Sequence, residues 1–158
     1  MRTITTILLT VLLQLTSYGQ TEAEANYLDS NNWVHMDKIS VRQFVNELRI
    51  PAEKPDYPIN ILYILHTIEQ QDTNWISIND VAYLMTLIDS KEEAKCIMRV
   101  ISSYLPIEEK PTLGDQVILL INAYRKKLKF PYGLTMCGEF GGTETTEIRE
   151  WWEKEKKK

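Results

Sequence analysis

The chain has 158 residues, of which 44% are hydrophobic and 25% are charged, with 18 Lys and Arg against 22 Asp and Glu. This length fits one domain, and this composition excludes an intrinsically disordered chain and a multi-span membrane protein. The net charge of −4 lacks the basic surplus that binds a phosphate backbone. We therefore expect no nucleic-acid partner.

Residues 1–19 have the pattern of an export signal. Arg2 precedes an apolar stretch from Ile4 to Leu15, and Ser17 and Gly19 put small residues at the −3 and −1 positions of a cleavage site. The stretch is about a dozen residues long, against the roughly twenty that a spanning helix needs. We predict a cleaved signal peptide and an exported protein, periplasmic or secreted, without an integral membrane span. The alternative is an uncleaved anchor or a buried helix.

The remaining chain is predicted to be all-α. Residues 20–36 are polar and are interpreted as a flexible lead-in, and residues 37–158 as a single α-helical domain. Capping boxes and apolar residues at helical spacing indicate about six helices in three antiparallel pairs. The pairs are 38–49 with 58–70, 77–89 with 90–105, and 112–128 with 144–155. The capping boxes are Ser77–Asp80, Ser90–Glu93 and Thr112–Asp115.

The middle pair carries a family resemblance. Its sequence reads Asp80-Val81-x-x-Leu84-Met85-x-Leu87-Ile88-Asp89-Ser90-x-Glu92-Glu93-Ala94. This resembles a HEAT-type repeat, in which an apolar helix ends in a short Asp-containing turn and a second helix packs straight back. The resemblance implies a HEAT-like stacked or irregular helical bundle and a binding role, and it carries over no functional residue.

Catalytic and cofactor signatures are missing from the sequence, so we expect no cofactor and no metal. The two histidines, His35 and His66, would need a convergent carboxylate such as Glu69 or Asp37 to form a metal site. Glu139 stands in a glycine-rich loop and could act as a general acid or base with a distant partner. A small exported hydrolase using this residue is the alternative function.

The segment 130–142 is long for a connection between helices, and such loops are often functional. We predict that it contacts a protein partner. The candidate residues are Phe130, Tyr132, Met136, Glu139 and Phe140. The other interpretation is that these aromatic side chains cover the core between the last two helices.

Export would place Cys96 and Cys137 in an oxidising compartment, where paired cysteines usually oxidise. On the helical wheel of the predicted helix 90–105, Cys96 lies away from the apolar face and points toward a neighbouring element. We therefore predict a disulfide between them. Together these features favour an exported, non-enzymatic binding module of the bacterial envelope or exterior, one form of which is an immunity-type inhibitor.

Overall fold

The computed structural model describes residues 26–51, 62–103, 110–138 and 140–157. In chain order their elements are β1 (Val34–His35), a 3-10 helix (Met36–Lys38), α1 (Val41–Glu47), β2 (Ile64–Ile68), α2 (Ile78–Met85), β3 (Cys96–Arg99), α3 (Leu113–Lys126), β4 (Thr135–Met136) and α4 (Gly142–Glu155). Four α-helices thus accompany a four-stranded sheet in this part of the chain. The fold is α/β, and the expectation of an all-α protein with six helices is wrong.

The sheet has the order β1-β2-β3-β4, in which the first three strands are parallel and β4 is antiparallel to β3. Helix α1 lies in the connection between β1 and β2, and α2 in the connection between β2 and β3, as parallel strands require. The register puts Leu65, Ile97 and Met136 in one row across the sheet. All three belong to the same hydrophobic core as residues from α1, α2, α3 and α4, so the helices cover this one face.

Two predicted helices contain strands instead. The second member of the first pair, 58–70, contains β2, and the second member of the middle pair, 90–105, contains β3. Both strands are short apolar runs with buried residues on both faces, so they lack the alternation that distinguishes a strand from a helix. The HEAT-like pairing therefore fails at its second helix. Residues 58–61 and 104–105 lie outside the described part.

The predicted capping box at Ser90 does not begin a helix. The Ser90 hydroxyl oxygen accepts a hydrogen bond from the Glu92 amide at 3.4 Å. Two isolated bridges, Glu93 with Thr112 and Ala94 with Arg49, then hold the chain extended up to β3. Here backbone pairing with two other segments overrides a local helix signal.

Part of the predicted flexible lead-in belongs to the sheet. Val34 is in β1, pairs with Thr67 and is fully buried. Tyr27 is also buried, and its hydroxyl donates a hydrogen bond to Glu47 Oε1 at 2.8 Å. Tyr27, Val34 and Met36 therefore anchor this segment to the rest of the fold. Residues 20–25 and the predicted signal peptide lie outside the described residues.

The other four predicted helices form α1, α2, α3 and α4. Reciprocal capping boxes begin the first three, at Ser40 with Gln43, Ser77 with Asp80 and Thr112 with Asp115. Two of these boxes were predicted from the sequence and are confirmed. Each box provides acceptors for two backbone N–H groups, at the cap residue and three residues later, that a helix start would otherwise leave unpaired.

Helix α3 is the central helix of the core, because every residue from Leu113 to Ala123 is buried. Two consecutive polar residues in it differ sharply. Asp115 bonds through both carboxylate oxygens, whereas the fully buried amide of Gln116 has no hydrogen-bond partner among the described residues.

In the described part of the chain, none of the helices combines the length and apolarity needed to cross a membrane.

Candidate functional site

The loop that follows α3 is held to the rest of the protein at several points. Phe130 and Gln71 exchange two backbone hydrogen bonds, at 2.6 and 3.0 Å. Strand β4 then pairs with β3, and the Phe140 amide donates to Asp115 Oδ1 at 3.0 Å. Asp115 thus caps α3 and anchors the loop at once. The capping role was predicted from the sequence, but nothing in the sequence signals the bond to Phe140.

The predicted disulfide is confirmed: Cys96 is bonded to Cys137, with the two Cα atoms 4.7 Å apart. The helical-wheel part of its argument was wrong, because Cys96 opens strand β3 and is not on a helix. The bond joins this strand to the residue directly after β4. It therefore fixes the end of the loop to the sheet independently of the hydrogen bonds.

The five predicted partner-contacting residues fall into different environments. Phe130 and Met136 are buried in the core, with 1% and 5% of their surface exposed, so they are structural in this fold. Phe140 is half-buried and packs against the core. Tyr132 is 40% exposed. Glu139 lies outside the described residues, and its proposed catalytic role with it.

The buried ring of Phe130 contacts the ring of Tyr132. The Phe130 ring packs edge-on to Phe44 at 5.5 Å between centroids and stacks on Trp75 at 5.7 Å. The ring of Tyr132 meets it edge-on at 6.3 Å. Burial raises the pKa of Tyr132 to about 12, with a further contribution from the charge of Glu144.

Three exposed apolar side chains, Ile101, Tyr132 and Leu134, lie on the segments beside the β3–β4 pair and are called the apolar patch. Leu134 and Ile101 are 51% and 67% exposed. The two segments adjoin, because the Arg99 amide donates to the Leu134 carbonyl at 2.8 Å and the Ser102 and Thr135 hydroxyls are 2.9 Å apart. Sequence analysis identified only Tyr132 of these three.

A second feature, the lysine cleft, lies at the start of the parallel strands and has a volume of about 520 Å³. Its apolar part includes Leu62 and Ile64, and its other described walls include Trp33, Glu47, His66 and Lys95. This volume is typical of small-ligand sites, which combine apolar walls with a few polar groups. Sequence reasoning missed the cleft because its lining comes from four separate segments.

The two histidines considered as metal ligands make different contacts. His35 faces Asp37, with 3.9 Å between Nδ1 and the carboxylate oxygen, whereas His66 lies in the lysine cleft beside Trp33. Across the described ranges, no group of three or more His, Cys, Asp and Glu side chains has the arrangement of a metal site.

The chain is therefore a disulfide-bonded α/β protein that carries an apolar patch and a lysine cleft. Comparison of the chain with protein-family models, with curated proteins and with solved structures found no match.

Proposed function

We propose that the protein is an exported, non-enzymatic binding module that engages a protein partner through the apolar patch. One form of this role is an immunity-type inhibitor in the bacterial envelope or exterior. The observation that carries the proposal is the exposure of three apolar side chains on adjoining segments. Ile101, Tyr132 and Leu134 are three of the four large apolar residues that stand exposed in the described part of the chain, the other being Ile78. Such clusters on otherwise polar surfaces are typical of protein contacts.

The patch stands on a rigid backbone, which favours tight binding. Strand pairing, the disulfide and the Phe130 ring hold its residues before any partner arrives. Preorganisation lowers the entropy that a surface loses when it binds. An aromatic and two aliphatic side chains would form the centre of the interface, with polar residues around them as a rim.

The charge of the chain favours a basic partner. At a net charge of −4, the protein attracts positively charged surfaces and repels acidic ones. The expected partner therefore presents an apolar contact within a basic surface. The disulfide supports export, because such bonds persist in oxidising compartments.

The test compares two substitutions of exposed aliphatic residues. Leu134→Ser removes the centre of the patch, and Ile78→Ser is the matched control at the start of α2. A partner captured from an envelope extract with the wild-type protein is purified, and its affinity for each variant is measured by calorimetry. We expect at least a tenfold loss for Leu134→Ser, the usual effect of removing a hot-spot side chain.

Ile78→Ser should bind like the wild type, and both variants should retain their melting temperatures. Equal affinity for the two variants would contradict the proposal.

A further inference from the structure

The lysine cleft contains the ammonium group of Lys95, which forms no ion pair with another described residue. The Lys95 side chain is half-buried and makes no hydrogen bond or ion pair within the described ranges. Burial lowers its pKa, and the nearby negative charge of Glu47 opposes that effect. A partly desolvated ammonium group without a direct partner is stabilised by an anion that reaches it.

The backbone holds this lysine in place. The Lys95 amide donates to the Leu48 carbonyl at 2.8 Å, and the preceding Ala94 is bridged to Arg49. The next residue is Cys96, which is in β3 and bonded to Cys137. The backbone of Lys95 is therefore held on both sides, and its flexible side chain extends into the cleft from a fixed point.

Glu47 limits which anions fit. One of its carboxylate oxygens already accepts the Tyr27 hydroxyl at 2.8 Å, and the residue lines the same cleft as Lys95. A doubly charged anion such as a phosphate would be repelled more strongly by this carboxylate than a singly charged one. Lys95 would attract a dianion more strongly to a similar extent, so the cost of desolvating a second charge decides, and a cleft with a single described cation favours a monoanion.

The cleft also has an aromatic part. The rings of Trp33 and His66 lie 6.1 Å apart at an interplanar angle of 30°. Burial lowers the pKa of His66, so its imidazole is neutral at pH 7 and offers a flat surface instead of a charge. Ile64 and Leu62 add apolar surface to the lining of the same cleft.

We propose that the lysine cleft binds a small aromatic carboxylate, whose carboxyl group pairs with Lys95 and whose ring packs against Trp33 and Ile64. This site is independent of the apolar patch and of the protein partner proposed for it. The ligand is small because the cleft holds about 520 Å³. A charge-assisted hydrogen bond supplies specificity, and apolar contact supplies most of the burial.

The experiment uses the full oxidised protein, a titration followed by amide chemical shifts, and 3-phenylpropanoate as the probe. We expect saturable shifts in residues of the cleft, with a dissociation constant on the order of 1 mM for a probe of this size. The uncharged 3-phenylpropanamide should bind about tenfold more weakly, because it cannot form the charged bond. Equal binding of acid and amide, or shifts located away from the cleft, would overturn the proposal.

Substitutions test whether Lys95 is the cation that binds the acid. Lys95→Met should weaken binding of the acid at least about tenfold, and Lys95→Arg should retain it. Lys91→Met, at an exposed lysine four residues earlier, should leave binding unchanged. If Lys95→Met does not fold, the comparison of acid with amide on the wild-type protein still decides.

Glu47→Gln separates a carboxylate ligand from a zwitterion. It removes the repelling charge and keeps an acceptor for Tyr27, so it should strengthen binding of 3-phenylpropanoate. Weaker binding, together with tighter binding of phenylalanine than of 3-phenylpropanoate to the wild type, would show that Glu47 recognises an ammonium group. That result would overturn the proposal in favour of an amino-acid ligand.

Discussion

Asp115 and Gln116 are neighbours on α3 and illustrate the two states of a buried polar side chain. Asp115 bonds to the Thr112 amide and hydroxyl through one oxygen and to the Phe140 amide through the other. Gln116 is fully buried, and neither atom of its amide has a partner among the described residues. Burial of a polar group is favourable only when its hydrogen bonds are replaced, so the two residues contribute to stability with opposite signs.

Gln116→Met should therefore stabilise the protein. Methionine keeps the length of the side chain and removes the desolvated amide, whose cost is about 1–3 kcal/mol. Chemical denaturation of both proteins measures the difference in the free energy of unfolding.

Asn122→Leu is the matched control for this prediction. Its amide is also buried, but it donates to Glu144 at 2.6 Å and accepts from Arg125 at 3.2 Å. Removing it should destabilise the protein, since Glu144 loses a partner. A loss of stability in Gln116→Met as well would mean that a partner binds the Gln116 amide.

At the scale of elements, α3 approaches the turn after α2 so closely that only glycine fits between them. A Cβ atom on Gly114 would lie 2.7 Å from the Ile88 carbonyl oxygen and 2.9 Å from that of Ser90. The Gly114 amide also donates to the Ser90 carbonyl at 3.2 Å. Because both obstacles are backbone atoms, they cannot move aside without shifting the turn.

Gly114→Ala should destabilise the protein by about 1–3 kcal/mol, which exceeds the gain of up to about 1 kcal/mol in helix propensity. Gly142→Ala is the control, because a Cβ atom at this first residue of α4 meets no described heavy atom within 4 Å. It should leave stability unchanged or raise it by about 0.4–1 kcal/mol. Thermal and denaturant unfolding compare the two, and equal midpoints would refute the close approach.

Among the elements, the sequence could predict the helix starts but could not predict the strands. Helix starts are local, so the boxes at Ser77 and Thr112 were readable from residues three apart. Strands β2 and β3 pair with each other over about thirty residues of sequence separation, and their apolar runs fit a buried helix equally well. Only the tertiary pairing distinguishes the two structures.

In the candidate sites, too, only local signals could be predicted from the sequence. Tyr132 was found because it lies in a conspicuous aromatic loop, whereas Ile101 and Leu134 become a patch only when β3 and β4 pair. The lysine cleft has no sequence signal at all, since Trp33, Glu47 and Lys95 are far apart along the chain. The cysteine pairing was predictable because the sequence has only two cysteines.

At the scale of the whole molecule, the disulfide closes a large part of the chain into a loop. Cys96 and Cys137 are 41 residues apart, and the loop between them contains most of β3 together with α3 and β4. A cross-link of this span lowers the entropy of the unfolded chain, which stabilises the folded protein.

The variant with Cys96→Ala and Cys137→Ala should be less stable than the oxidised wild type by about 3–4 kcal/mol, from the chain-entropy model for a loop of this length. Reducing the wild-type protein should produce a similar loss and should not change the unfolding of the variant. Peptide mapping without reductant measures the bond directly. Alkylation of both cysteines in the unreduced protein, or identical unfolding midpoints, would contradict this expectation.

The disulfide also sets how the molecule responds to tension. A force applied between the two ends of the chain is transmitted through the covalent bond from Cys96 to Cys137 and bypasses the 41-residue interval. That interval, about 140 Å long when fully extended, cannot lengthen until the bond is broken. The central helix α3 lies within it, so stretching can peel away the N-terminal strands and α4 while the chain through α3 bears no direct load.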